Sequence, residues 1–318
     1  FKNDRGLKES DFTRIAIAGN TTMLHLLLGV DPKSIALAPF TPEFTDKQVI
    51  RGEETDLNIN NNARLTTIPC ISAYVGADIV AGLAVLKSPY KNYLFLDIGT
   101  NGEMALVSGD KIFTCATAAG PAFEGANLVC GMGAVQGAVS VFDSPDEYGV
   151  IGNIPPTGIC GSGIVDIIAY LIENGFLDEE GLLPEDFHIH QADNIYISQQ
   201  DIREIQLAKS AIYSGIKILL KKAGLEFNSV EALFLAGGFG NYINTESAVK
   251  IGLLPLEMKK RIHSIGNSAG IGALQYLKSG EFAKRTEHIL ARTEYIELSG
   301  DDDFTLEFAM NMNFTKLV

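Results

Sequence analysis

Two apolar runs that break at glycines, LFLDIGTNGEMALV (Leu94 to Val107) and LFLAGGFGNYIN (Leu233 to Asn244), constrain this chain more than any other feature. The first runs as an apolar strand to Asp97, turns through Gly99, Thr100, Asn101 and Gly102, and resumes as a second strand, which predicts a β-hairpin. With no Cβ at Gly99 or Gly102, backbone N–H groups can gather at the tip into a concave anion site, and Asp97 at the strand end can hold Mg2+ through water. The second run is a strand broken by Gly237, Gly238 and Gly240, where a flat adenine and its ribose can lie against bare backbone beside Phe239 and Asn241. Together the two segments read as halves of an ATP cradle.

Composition narrows the class. The chain has 318 residues, 46% of them hydrophobic and 20% charged, enough to bury one large core or two moderate ones. Its net charge of −14 works against attraction to nucleic acid or to an anionic membrane, so neither is expected as a partner. No apolar run approaches the roughly 20 residues that span a bilayer, and no basic-then-apolar leader precedes Phe1, so the chain reads as cytoplasmic. Cys70, Cys115, Cys130 and Cys160 are scattered singly and read as buried thiols. Phe1 is not an initiator residue, and the polar lead after it suggests a piece of a longer protein.

The order of elements points to α/β architecture. Ile15 to Ala18 is a short strand, followed by a helix that Thr21 or Thr22 can cap and that closes at Gly29. Asp31 to Ala63, punctuated by Pro32, Pro39 and Pro42, reads as loop and edge structure. Ser72 to Leu86 has helical spacing, with small residues that allow a close approach to a neighbour. After the Leu94 hairpin come a strand at Lys111 to Ala116, a helix at Ser162 to Glu173 and a long helix at Gln199 to Ala223. Ser198 and Asp201 stand at capping-box spacing before the long helix, and Gly224 is its stop. A further helix begins near Glu246, Ala269 to Leu277 reads as the final one, Glu294 to Leu298 as a closing strand, and Asp301 to Asp303 as a solvated turn. Three sequential antiparallel strands followed by helices and more strands describe a ribonuclease-H-like unit better than a continuous parallel sheet.

This order resembles the ATPase superfamily of actin, sugar and acetate kinases and heat-shock chaperones: a small-residue helix at Tyr74 to Leu86, D-x-G-T at Asp97 to Thr100, A-G-G-F-G at Ala236 to Gly240, and a helix at Ser268 to Leu277. More closely, the chain resembles the reductive activators of corrinoid proteins. ISAYVGADIVAGL (Ile71 to Leu83), DIGTNGE (Asp97 to Glu103), TAAGPAFEGA (Thr117 to Ala126), TGICGSGIVD (Thr157 to Asp166) and LAGGFGNYIN (Leu235 to Asn244) carry the likeness in order, and AGNTTMLHLLLG (Ala18 to Gly29) resembles the end of that family's middle domain. The resemblance implies an end of the middle, first ATPase domain over 1–66 and a C-terminal ATPase domain over 67–318. It places the family's ferredoxin domain, with its 2Fe-2S cluster, and the first phosphate hairpin upstream of Phe1, so this chain would hold mainly one half of the nucleotide cleft. It implies ATP-dependent reduction of Co(II) to Co(I) in a corrinoid protein, either a corrinoid iron-sulfur protein or a corrinoid methyltransferase component, with ATP and Mg2+ bound here. A homodimer stays open.

Plain alternatives stand beside these readings. Asp97 can simply cap the hairpin, and Glu103 can be an exposed strand residue. Gly161, Ser162 and Gly163 can present a helix N-terminus to phosphate or adenine, or can be ordinary helix entry. A dinucleotide fingerprint over Gly158 to Gly163 lacks both the preceding strand and the later acidic residue. His188 and His190 lack companions for a metal site and read as solvent-facing. No G-x-x-x-x-G-K-[ST] occurs, so a P-loop is excluded. A small-molecule kinase of the same superfamily is the main functional alternative, and a non-catalytic ATP-binding assembly module the third.

Overall fold

The computed structural model describes residues 6–190 and 194–314. They form two compact units: one contains the described residues of Phe1–Pro89, Asp110–Thr114 and Asn267–Tyr295, the other those of Tyr90–Gly109, Cys115–Gly266 and Ile296–Val318.

In the first unit, β1 (Arg14–Ile17) leads to α1 (Thr21–Leu27). Asn20, rather than either threonine, caps α1: its side chain accepts from the Met23 N–H at 2.8 Å, satisfying one of the orphan donors of the first turn. A short α2 (Lys33–Ala36) and the edge strand β2 (Val49–Arg51) occupy the stretch read as loop and edge. With β3 (Arg64–Thr67) the strands lie in the order β1-β3-β2, parallel then antiparallel. α3 covers Ala77–Val85. It starts later than its spacing suggests because the Ser72 hydroxyl accepts from the Tyr74 and Val75 N–H groups, holding 72–75 in a turn, and Gly76 is extended.

The second unit opens with the expected hairpin, β4 (Asn92–Ile98) and β5 (Gly102–Ser108), paired antiparallel with Asp97 opposite Glu103. β6 (Lys111–Thr117) begins among first-unit residues and ends in the second. β7 (Ala138–Ser144), β8 (Glu147–Val150) and β9 (Gly158–Ile159) make a small sheet ordered β8-β7-β9. α4 (Gly161–Glu173) follows, then the β10 (Phe187–His190) and β11 (Ile195–Ile197) pair. The long α5 is Gln199–Ala223, with the Ser198/Asp201 capping box formed and Gly224 in the left-handed conformation at its end, as the spacing predicts. β12 (Ala232–Ala236), α6 (Gly237–Tyr242), α7 (Thr245–Lys250) and β13 (Ile262–Gly266) complete it. Its main sheet reads β13-β12-β4-β5-β6, with β12 parallel to both β4 and β13.

α5 buries Ile205, Ala208, Ile212, Ile216 and Leu219, the expected face. It approaches the sheet closely because Gly102 and Gly215 lack side chains: a Cβ at Gly102 would stand 2.9 Å from Ile212 Cγ1, and one at Gly215 would stand 2.9 Å from Met104 Sδ.

The chain then returns to the first unit. α8 (Ser268–Lys278) packs on α3, and a Cβ at Gly272 would lie 2.7 Å from Ala81 Cβ, so the small residues of both helices set their separation. The first stretch of chain in this unit ends at Pro89. α8 is not the last helix. Ser279 caps α9 (Gly280–Leu290) through the Phe282 N–H, and β14 (Thr293–Tyr295) pairs parallel with Ile112 to Thr114. In the second unit Asp301 caps α10 (Asp302–Met310) by accepting from the Phe304 N–H at 2.9 Å, so the acidic triplet is a helix start rather than a solvated turn.

α10 is tied to α5 by polar contacts, centrally through Lys209. This fully buried ammonium donates to the carbonyls of Asn311 at 2.6 Å and Asn313 at 2.7 Å, 5.2 Å from the Phe314 ring centre. Burial pushes the Lys209 amine down to about 8. Between that value and the ordinary lysine range the folded chain binds fewer protons than the unfolded one, so stability rises with pH across the interval. Against Lys209→Met, wild-type protein should gain roughly 3 kcal/mol in denaturant-derived stability between pH 7 and pH 10.5. A pH-independent difference would place the amine at its ordinary value.

Candidate functional site

The site lies within the second unit and grows from the parallel pairing of β4 and β12, which sets Ala236 beside Asp97 at the carboxyl ends of both strands. Ligands of open α/β sheets gather at such ends. Beyond Ala236 the chain enters α6, so the glycine break read as a turn is the opening of a six-residue helix. Gly237 takes φ +80, and any Cβ there would collide with Asp97 Oδ1. Glycine is required at that position on both counts.

The hairpin tip is tight, with the Gly99 N–H donating to the Asn101 carbonyl at 3.0 Å and Thr100 and Asn101 exposed. Above it stands Glu124, whose Oε2 accepts from Thr100 Oγ1 at 2.6 Å. Glu124 ends a short turn, Pro121–Glu124, bracketed by Gly120 at φ +78 and Gly125 at φ +81. The preceding Phe123 is buried and stacks on Phe239 of α6, with centroids 4.9 Å apart and planes at 22°.

Phe123, Glu124 and Phe239 line a pocket of 290 Å3 with Met132, Gly133 and Ala134, with Cys160, Gly161 and Ser162 at the start of α4, and with Gly238 and Tyr242 of α6. The walls are chiefly apolar, as expected of a site for a flat heterocycle. Gly238 is exposed, and a Cβ there would meet nothing within 4 Å.

The candidate residues thus fall into two sets. Gly161, Ser162, Gly238 and Phe239 meet at the pocket; Asp97, Gly99 and Thr100 are linked to it through Gly237 and Glu124. Asn101 is exposed at the hairpin tip, while Gly102, Gly163 and Gly240 face protein. A Cβ on Gly102 would lie 2.8 Å from Thr117 Oγ1, one on Gly163 would strike the Val139 carbonyl, and one on Gly240 would lie 3.2 Å from Leu235 Cβ. Asn241 is exposed, with its Oδ1 3.5 Å from the Cβ position of Gly266. Gly161 serves packing as well, since a Cβ would collide with the Phe123 carbonyl. Ser162 donates to the Ser140 carbonyl at 2.8 Å, fastening α4 to β7. Glu103, opposite Asp97, is buried rather than exposed.

Asp166 on α4 accepts from the Phe142 N–H at 3.3 Å through Oδ2, tying α4 to β7, and burial raises its carboxyl above the usual range. The sequence reading gave no role to Phe123, Glu124, Met132 or Tyr242; the TAAGPAFEGA motif held the first two, but only the fold carries them to the hairpin and α6.

Among the cysteines, Cys70, Cys115 and Cys160 are buried and Cys130 is half-buried, all as free thiols. Burial pushes the Cys115 thiol up. His188 is exposed on β10, while the His190 side chain lies outside the described residues. Among the described residues no group of three or more His, Cys, Asp or Glu could hold a metal ion, and no helix is long and apolar enough to cross a membrane.

Residues 91–317 match the family described as the C-terminal domain of RACo, the ASKHA domain, and residues 1–88 match the RACo middle region. The chain is 37% identical to the corrinoid activation enzyme RamQ of Eubacterium limosum, over 96% of this chain and 56% of that protein. It is 27% identical to the [Co(II) methylated amine-specific corrinoid protein] reductase of Methanosarcina barkeri, over 80% of this chain and 54% of that one. A solved structure of a reductive activator for corrinoid, iron-sulfur protein superposes with a TM-score of 0.89 at 33% identity, covering 98% of this chain and 54% of its own. The chain spans about half the length of these relatives. On the motifs, the fold and these matches, the chain belongs to the RACo family and carries its middle region and its C-terminal ASKHA domain.

Proposed function

We propose that this chain supplies the ATP-binding and ATP-hydrolysing part of an activator that returns the Co(II) of a corrinoid protein to Co(I). The observation that carries the nucleotide assignment is the convergence of Gly238, Phe239 and the α4 start on one apolar pocket, with the Thr100 tip joined to it by Glu124. The names of the relatives support the corrinoid partner and the reduction. Adenosine would lie against the bare backbone of Gly238 and the Phe239 ring, and the phosphates would reach the exposed tip at Thr100 and Asn101. The residues fit a divalent ion carried by phosphate: Asp97 at the strand end and Glu124 at the tip supply carboxylate oxygens, and Mg2+ takes few protein ligands when phosphates supply the rest. Bound Mg2+ would neutralise charge on the phosphates; Asp97 would orient it through water, while α6 excludes bulk water from the base. The electron would come from a 2Fe-2S centre in a ferredoxin-type domain of the same protein, and nucleotide-dependent closure would favour one contact state with the corrinoid partner.

The test uses the product of the complete gene under strict anaerobiosis. With a low-potential reductant and Mg-ATP it should convert a Co(II) corrinoid protein to Co(I), followed by visible absorbance, and omission of ATP should stop the conversion. Reduction that ignores ATP, or ATP-dependent phosphorylation of a small molecule without cobalt reduction, would overturn the proposal.

A further inference from the structure

Glu124 is a carboxylate at the proposed phosphate site, where it repels any polyphosphate that arrives without a metal ion. Its placement is firm. The Thr100 hydroxyl donates to Oε2 at 2.6 Å, and Oε1 stands 3.6 Å from the Cβ position of Gly99, so both oxygens lie over the hairpin tip. The backbone behind it has little room to retreat. Gly125 follows at φ +81, where a Cβ would strike the Met132 carbonyl, and Phe123 before it is buried against Phe239. Only the side chain of Glu124 can turn aside, and its exposed position leaves it free to do so.

We infer that Glu124 makes the phosphate loop selective for metal-bound nucleotide. This rests on the assignment of the Gly99 to Gly102 tip to phosphate. A metal-free polyphosphate arriving at the tip would compete with a carboxylate for the Thr100 hydroxyl and meet its negative charge at close range. With Mg2+ on the phosphates the same carboxylate faces a cation, directly or through the water shell of the ion, and the repulsion becomes attraction. Glu124 therefore acts as a charge filter, rejecting free nucleotide and admitting the complex that can be hydrolysed.

Calorimetric titration with ADP, which leaves hydrolysis out of the readout, tests this on the full chain in Mg2+ and in excess EDTA. Wild-type protein should bind Mg-ADP more tightly than free ADP. Glu124→Gln should narrow that ratio by about tenfold, mainly by tightening the metal-free complex, because a neutral amide removes the repulsion while keeping a similar shape. Glu124→Ala should narrow it likewise. An unchanged ratio in both variants would overturn the inference, as would an equal loss of affinity with and without Mg2+, which would mark Glu124 as a contact to the sugar or base. If wild-type protein binds no ADP under either condition, the phosphate assignment itself fails and this inference with it.

Discussion

Asp97→Asn should lower ATP turnover by at least about a hundredfold, or ~3 kcal/mol of transition-state stabilisation, while changing nucleotide affinity less than about threefold. Asn keeps the size of the side chain, so the crowded approach to Gly237 survives, and what disappears is the charge that would orient the metal. The adenosine contacts proposed above belong to Gly238, Phe239 and the α4 start, which line the pocket, whereas Asp97 does not. Steady-state hydrolysis beside calorimetry separates the two effects. Equal losses in both, or no loss of turnover, would return Asp97 to the role of a hairpin cap.

Gly238→Val should weaken ATP binding by at least about a hundredfold, ~3 kcal/mol, and leave the thermal transition of the unliganded protein almost unmoved. Beyond its chain neighbours and the backbone of its own helix, nothing lies within 4 Å of the Cβ position, so the isopropyl group would project into the space assigned to adenosine without disturbing the fold. A β-branched residue near the start of a helix costs only a few tenths of a kcal/mol. The neighbouring Gly237 makes the contrast: its positive φ and the collision with Asp97 mean that any side chain there disrupts the site and the local backbone together. ATP binding by the Gly238→Val protein with unaltered affinity would remove adenosine from this face of α6.

Much of this arrangement was legible before the fold. The hairpin from Asn92 to Ser108 and the long helix from Gln199 to Ala223 follow from strand alternation, a capping box and a glycine stop, all local signals written within one or two turns of chain. The five ordered motifs identify the family for the same reason, since each is a short run whose residue types are set by backbone geometry. Element starts governed by competing side-chain hydrogen bonds depart from the local pattern: Ser72 delays α3, Asn20 displaces the threonines as the cap of α1, and Asp301 opens a helix where three acids suggest a turn.

Tertiary structure alone decided which glycines open on empty space and which face protein. Gly102, Gly163 and Gly238 look alike as letters, yet the first two admit α5 and β7 to close packing and only the third opens on empty space. It also decided that Glu124 meets Thr100 across 24 residues, that Phe123 meets Phe239, and that Lys209 is buried beneath the carbonyls that follow α10. A local pattern records the conformation a segment prefers; the atoms that stand opposite it come from segments far along the chain, and only their packing determines whether a given residue fills a core or faces a substrate.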